Sequence, residues 1–245
     1  MMEAMEAREG KTRRALVLGG TGYVGREVVR KLVAEGVPTA FTYFRNQALA
    51  ETLANETGAV AYQANFQDPQ AIASLFGALS SAGFGVDILV HAAVVSRHGA
   101  LSEITDEDEA VMHAVNVSSV RRVMQAFSAQ LGGSSADVVL LAALDGIAKI
   151  RANTAFAATQ AARLGMTYAL AKELGPRDVR INLVLVGALG GGIAADIEPE
   201  RLAEYRRYSA KQRVGEALEV AAAVSRLVLS NRWMTGSVFP VTGGL

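Results

Sequence analysis

Cysteine is absent from the 245 residues, so disulfides and thiol catalysis are excluded, and a reducing compartment, the cytoplasm, is the expected home. Long apolar runs are absent too. No stretch of about 18 residues suits a bilayer, and Met1–Arg14, which mixes Glu, Lys and Arg, lacks the apolar centre of a secretory leader. Net charge is missing: 24 basic and 24 acidic residues cancel, which leaves no overall field to draw the chain to nucleic acid or to an anionic membrane. With three histidines, none at metal-ligating spacing, no metal is expected.

What is present is apolar. A hydrophobic content of 51% in a chain of this length is enough for one large core, and the expectation is one domain over residues 15–245 after a tail at 1–14. Short β-branched runs read as strands at Ala15–Leu18, Ala40–Tyr43, Val60–Ala64, Ile88–Val90, Val138–Leu141, Ile181–Leu185 and Val238–Val241. Between them, helical periodicity predicts Val24–Glu35, Gln47–Glu56, Gln70–Ser81, Glu107–Leu131, Thr154–Glu173 and Ala217–Leu229. Pro38, Pro69, Pro176 and Pro240 fall near element edges, where a fixed φ and a missing N–H do no harm. Strands alternating with helices imply an α/β fold: a Rossmann-type, doubly wound parallel sheet of about seven strands, covered on both faces. Gly190–Gly192 follows a strand end, where such folds place ligands, and reads as a lid or as a plain surface loop.

The first strand runs into Gly19-Gly20-Thr21-Gly22-Tyr23-Val24-Gly25, and the next helix opens there. Glycines at 19, 22 and 25 let the backbone turn tightly and approach a pyrophosphate, and the helix N-terminus offers N–H groups that lack partners. An acid at the end of the second strand would hold the adenosine ribose of NAD, but the chain reads Tyr43-Phe44-Arg45-Asn46 there. Arg45 either pairs with a 2′-phosphate, which makes NADP the expected cofactor, or is a solvated arginine at a helix start.

From Ala15 to Leu245 the chain resembles the short-chain dehydrogenase/reductase family, especially members that reduce 3-oxoacyl groups on acyl carrier protein. The resemblance is carried by the glycine turn, Ile88-Leu89-Val90-His91-Ala92-Ala93, Asn116 in His113-Ala114-Val115-Asn116-Val117, Ala169 to Pro176, Arg180-Ile181-Asn182, and Thr235-Gly236-Ser237-Val238 to Thr242-Gly243-Gly244-Leu245. It implies cofactor contacts from Gly19, Thr21, Gly22, Tyr23, Val24, Gly25, Arg45, Asn65, Ala92, Ala93 and Gln160. It also implies an active site of Ser, Tyr, Lys and Asn. At those places the chain carries Ala143, Phe156, Gln160 and Asn116, so only the asparagine matches. In the family the tyrosine donates the proton, the lysine lowers its pKa and holds the nicotinamide ribose, and the serine binds the substrate oxygen. The family's glycine after the fourth strand is Val94 here, and its cofactor-contacting threonine after the sixth is Gly191.

Asp145 is the nearest replacement acid in sequence, with Lys149, Thr154 and Thr159 as weaker alternatives; His91 is read as a ligand contact or a backbone partner. Two functions follow. One is a reductase-like protein of acyl or polyketide-type metabolism with atypical or non-redox chemistry, acting on a small-molecule or carrier-bound acyl substrate. The other is a catalytically inactive scaffold or regulatory subunit that pairs with an active reductase homologue. The alanine-rich face of residues 157–165 suggests a homodimer or homotetramer built on the long helices.

Overall fold

The computed structural model describes residues 12–97, 99–145, 147, 153–195, 197 and 199–245. Residues 1–11 of the expected tail, His98, and Lys149 in the loop after the fifth strand lie outside the described residues. Arg13 and Arg14 belong to the fold: Arg13 reaches Asp137 and the Val228 carbonyl, and the Arg14 N–H is accepted by Asp87.

Seven strands form one parallel sheet in the order β3-β2-β1-β4-β5-β6-β7. They are β1 (Ala15–Leu18), β2 (Thr39–Tyr43), β3 (Val60–Gln63), β4 (Ile88–His91), β5 (Ala136–Ala143), β6 (Val179–Val186) and β7 (Val238–Val241). All residues of β1 and β4 are buried, as expected of central strands covered on both faces. β5 and β6 are longer than the apolar runs predict because they pair in register from Ala136↔Val179 to Ala143↔Val186, so each extends to the limit of its neighbour.

The helices are α1 (Tyr23–Ala34), α2 (Gln47–Thr57), α3 (Pro69–Ser81), α4 (Asp106–His113), α5 (Ser119–Gln130), α6 (Thr154–Leu174), α7 (Pro199–Tyr208) and α8 (Ala217–Leu229). Val28, Val29 and Leu32 of α1 and Val220, Ala221, Val224 and Val228 of α8 fill the core on one face of the sheet. Ile72, Leu75 and Leu79 of α3 and Val120, Val123 and Phe127 of α5 fill the other. The spacing of three and four residues puts each set on one side of its helix. No helix among the described residues is long and apolar enough to cross a membrane.

Two differences from the sequence reading have physical causes. The helix expected over Glu107–Leu131 is two helices joined by a π-helical segment, Ala114–Ser118, where the Ser119 N–H donates to the carbonyl of Ala114, five residues back; apolar spacing does not encode this. Helix α7 buries none of its residues, so it carries no apolar stripe to find.

Candidate functional site

The glycine turn is built for close approach. Gly19 has φ +79° and lies against Ala93, where an added Cβ would come within 2.8 Å of backbone. At Gly25 an added Cβ would sit 2.1 Å from the Gly19 carbonyl oxygen, so only glycine lets α1 begin this near the turn. The Gly19 N–H donates to Thr42 Oγ1 at 2.9 Å, which ties the turn to β2. Most other helices here start with a side-chain cap, such as Asn46 on α2, Asp68 on α3 and Asn153 on α6. Helix α1 starts at Gly22 with no side-chain cap and no acid in its first turn. Its first N–H groups therefore point, unclaimed by side chains, toward an anion position.

That position opens into a cavity of about 570 Å³ along the C-terminal ends of the strands. Gly19, Thr21, Gly22, Tyr23, Val24, Gly25, Arg45, Asn65, Ala92, Ala93 and Gln160, all expected cofactor contacts, line it together with Val94 and Ala143. The charged side chains among its described lining residues are Arg45 and Arg97; no Asp or Glu is present. Arg45 lies over the Phe44 ring, 5.0 Å from its centre, and Arg97 reaches Asp108 at 3.2 Å. Asn65 Oδ1 accepts from the Gln67 N–H at 3.1 Å, which shapes the turn after β3.

Gly190–Gly192 is pinned from two sides. The Gly190 N–H donates to the Gly215 carbonyl at 3.0 Å, and the Tyr23 ring fills the space a side chain at Gly191 would need, with an added Cβ only 2.8 Å from the ring. A large residue in the glycine turn and the missing side chain at 191 are thus complementary.

The other end of the cavity is closed by a network that satisfies itself. Gln160 Oε1 accepts from the Ala143 N–H at 3.0 Å, and its Nε2 donates to Thr159 Oγ1 at 3.1 Å. Asn116, fully buried, accepts from the Val95 N–H at 2.9 Å and donates to the Val95 carbonyl at 2.8 Å and Thr159 Oγ1 at 3.0 Å. The Thr159 hydroxyl donates onward to the Phe156 carbonyl at 2.7 Å. Asn116 and Phe156 lie behind the wall and do not line the cavity, while Ala143 and Gln160 do. Asp145 is not brought to it. It faces α7, 3.6 Å from Arg201, where the partial burial of Tyr205 and then the charge on Asp145 raise that phenol's pKa.

The sequence reading did not single out Arg163. One turn beyond Gln160 on α6, it is fully buried. Its Nε donates to the Asn116 carbonyl at 2.9 Å, and its two terminal nitrogens donate to the carbonyls of Leu141 and Ala93. Three neutral acceptors and no carboxylate hold this cation, and burial pushes its pKa down to about 10. A lone arginine amid Ala161, Ala162, Leu164 and Gly165 was the available signal.

His91, also fully buried, pairs with Ser119 Oγ at 3.1 Å. Burial first, then the charge on Arg163, holds its pKa well below 6.5. The folded protein keeps this imidazole neutral, whereas the unfolded chain takes up a proton as pH falls through about 6.5. Stability from this group is therefore full above that pH and declines below it. Denaturant unfolding is expected to show a loss of about 1 kcal/mol between pH 7.5 and 5.5, absent in His91→Asn. An equal loss in the variant would contradict the assignment. Among the described residues no group of three or more His, Cys, Asp or Glu gathers where a metal ion would be held.

The family model described as "Enoyl-(Acyl carrier protein) reductase" matches residues 22–245. A short chain dehydrogenase from Burkholderia cenocepacia J2315, crystallised in complex with NADP, matches with a TM-score of 0.88 and 30% identity, covering 96% of this chain and 98% of that one. The chain belongs to the short-chain dehydrogenase/reductase family. Among curated family members, Nodulation protein G of Rhizobium sp. strain N33 is 26% identical over 95% of this chain and 96% of its own length. A 3-oxoacyl-[acyl-carrier-protein] reductase of Escherichia coli strain K12 is 28% identical over 97% and 98%. The family likeness therefore extends along nearly the whole chain.

Proposed function

We propose that the protein holds NADP(H) in this cleft without performing ordinary ketoreduction, and acts as a non-catalytic member that pairs with a second copy or with an active reductase homologue. The glycine turn, the uncapped start of α1 and a cavity whose described lining holds no acid suit a dinucleotide rich in phosphate. Thr21, Gly22 and Tyr23 would hold the pyrophosphate, Arg45 the 2′-phosphate, and the second Nε2 hydrogen of Gln160 the nicotinamide ribose. The bound nucleotide would supply a hydride donor. The B. cenocepacia relative binds NADP, which supports the same choice here.

One observation carries the non-catalytic half. Where the resemblance places Ser, Tyr and Lys, the protein has Ala143, a buried Phe156, and a Gln160 already bonded to Ala143 and Thr159. Reduction of a carbonyl requires a proton at the developing alkoxide, and none of these three side chains is an acid. The competing reading, a reductase with another donor, needs an acid at the cavity, and Asp145 faces Arg201 instead.

Calorimetric titration tests the cofactor half. NADPH is expected to bind at least tenfold more tightly than NADH, and Arg45→Ala is expected to bring the two near parity. Equal affinities in the unmutated protein, unchanged by the substitution, would contradict the assignment.

A further inference from the structure

Arg163 heads the fully buried side chains by size, and leucine or methionine would fill its place without bringing a charge into the core. Its donors do more than tie backbone segments together. Ala93 and Leu141, whose carbonyls take the two terminal nitrogens, both line the cavity, so the guanidinium stands one peptide group behind the wall. Its third partner is the carbonyl of Asn116, in the π-helical segment, which takes the Nε–H. No carboxylate among the described residues pairs with Arg163 or lines the cavity, so among the described residues its field meets no counter-charge in the cleft. A charge in a desolvated wall acts far more strongly than the same charge in water. His91, which the same cation helps to keep neutral, shows the sign of that field.

The two redox forms of the nucleotide differ in one charge: the oxidised nicotinamide ring is a cation and the reduced ring is neutral. We infer that Arg163 is a fixed positive charge behind the nicotinamide end of this site, moved one helical turn from the position where the family carries lysine, and that it makes the cleft prefer NADPH over NADP⁺. This rests on the NADP(H) reading above. It adds a role for that pocket: a holder of reduced nucleotide, selective for redox state through a residue that touches no ligand.

The test is titration of the unmutated protein with NADPH, NADP⁺ and 2′,5′-ADP, which carries the phosphates and no nicotinamide. NADPH is expected to bind at least tenfold more tightly than NADP⁺. Arg163→Gln, which keeps N–H donors and removes the charge, is expected to bring that ratio toward one while leaving 2′,5′-ADP affinity unchanged; a general loosening of the fold would weaken all three ligands together. Arg163→Lys is expected to keep the preference. If neither NADPH nor NADP⁺ binds, the nucleotide reading and this inference fall together. If both bind with a ratio near one, the inference alone is overturned. A preference that survives in folded Arg163→Gln also overturns it. Should Arg163→Gln not fold, as circular dichroism would show, Arg163→Lys decides, and loss of the preference there overturns the assignment to charge.

Discussion

Incubated with NADPH and a panel of 3-oxoacyl thioesters, the protein is expected to consume nucleotide no faster than a protein-free control. A positioned general acid is worth roughly 10²–10⁴ in rate, and neither Ala143 nor Phe156 has a proton to give. Rebuilding the family residues with Ala143→Ser, Phe156→Tyr and Gln160→Lys is expected to recover little. A lysine ammonium at 160 would stand one turn from the buried Arg163 guanidinium, and neither cation would have a carboxylate. The guanidinium also occupies the Asn116 carbonyl. Adding Arg163→Leu removes both conflicts, and the quadruple variant is expected to exceed the triple variant by at least tenfold. A triple variant as active as the quadruple would show that Arg163 does not oppose the chemistry. Turnover of roughly 1–10³ s⁻¹ in the unmutated protein would end the non-catalytic reading.

Gly25→Ala is expected to abolish measurable NADPH binding and to cost about 1–3 kcal/mol of stability or more. Its Cβ would be 2.1 Å from the Gly19 oxygen, closer than any real contact, and the obstructing atom is backbone, so the turn or the start of α1 has to move. Moving either misaligns the N–H groups that face the cavity. Gly77→Ala is the matched control. Gly77 lies within α3 with nothing inside 4 Å of an added Cβ, and the change is expected to stabilise by about 1 kcal/mol with NADPH affinity intact. Thermal unfolding with and without nucleotide separates the two effects. Retained binding in Gly25→Ala would place the phosphate site elsewhere.

The parts of this fold that announce themselves are those in which side chains carry the signal. β1 and helix α8 match their expected limits because their apolar runs end where burial ends, and β7 matches its expected limits as well. The glycine turn is legible because sterics leave no alternative at Gly19 and Gly25. The π-helical segment is silent because its cause is a winding fault in the backbone, and α7 is silent because none of its residues is fully buried. Arg163 is the instructive case. Its three partners are carbonyl oxygens, which every residue has, so no pairing residue in the sequence marks it as more than another cation in a neutral chain. Gly191 is visible as a departure from the family pattern, but its complementarity to Tyr23 appears only when the ring is seen against the loop.

The central claim, a nucleotide held and not used, is tested most directly in a single turnover. With protein in excess over NADPH, so that the nucleotide is bound before a 3-oxoacyl thioester is added, nucleotide absorbance and fluorescence are followed together. The expected result is a change in fluorescence on mixing protein with NADPH, followed by an absorbance trace that stays flat after the thioester is added. Loss of NADPH absorbance at an enzymatic rate, or no sign of binding at any protein concentration, would contradict the account.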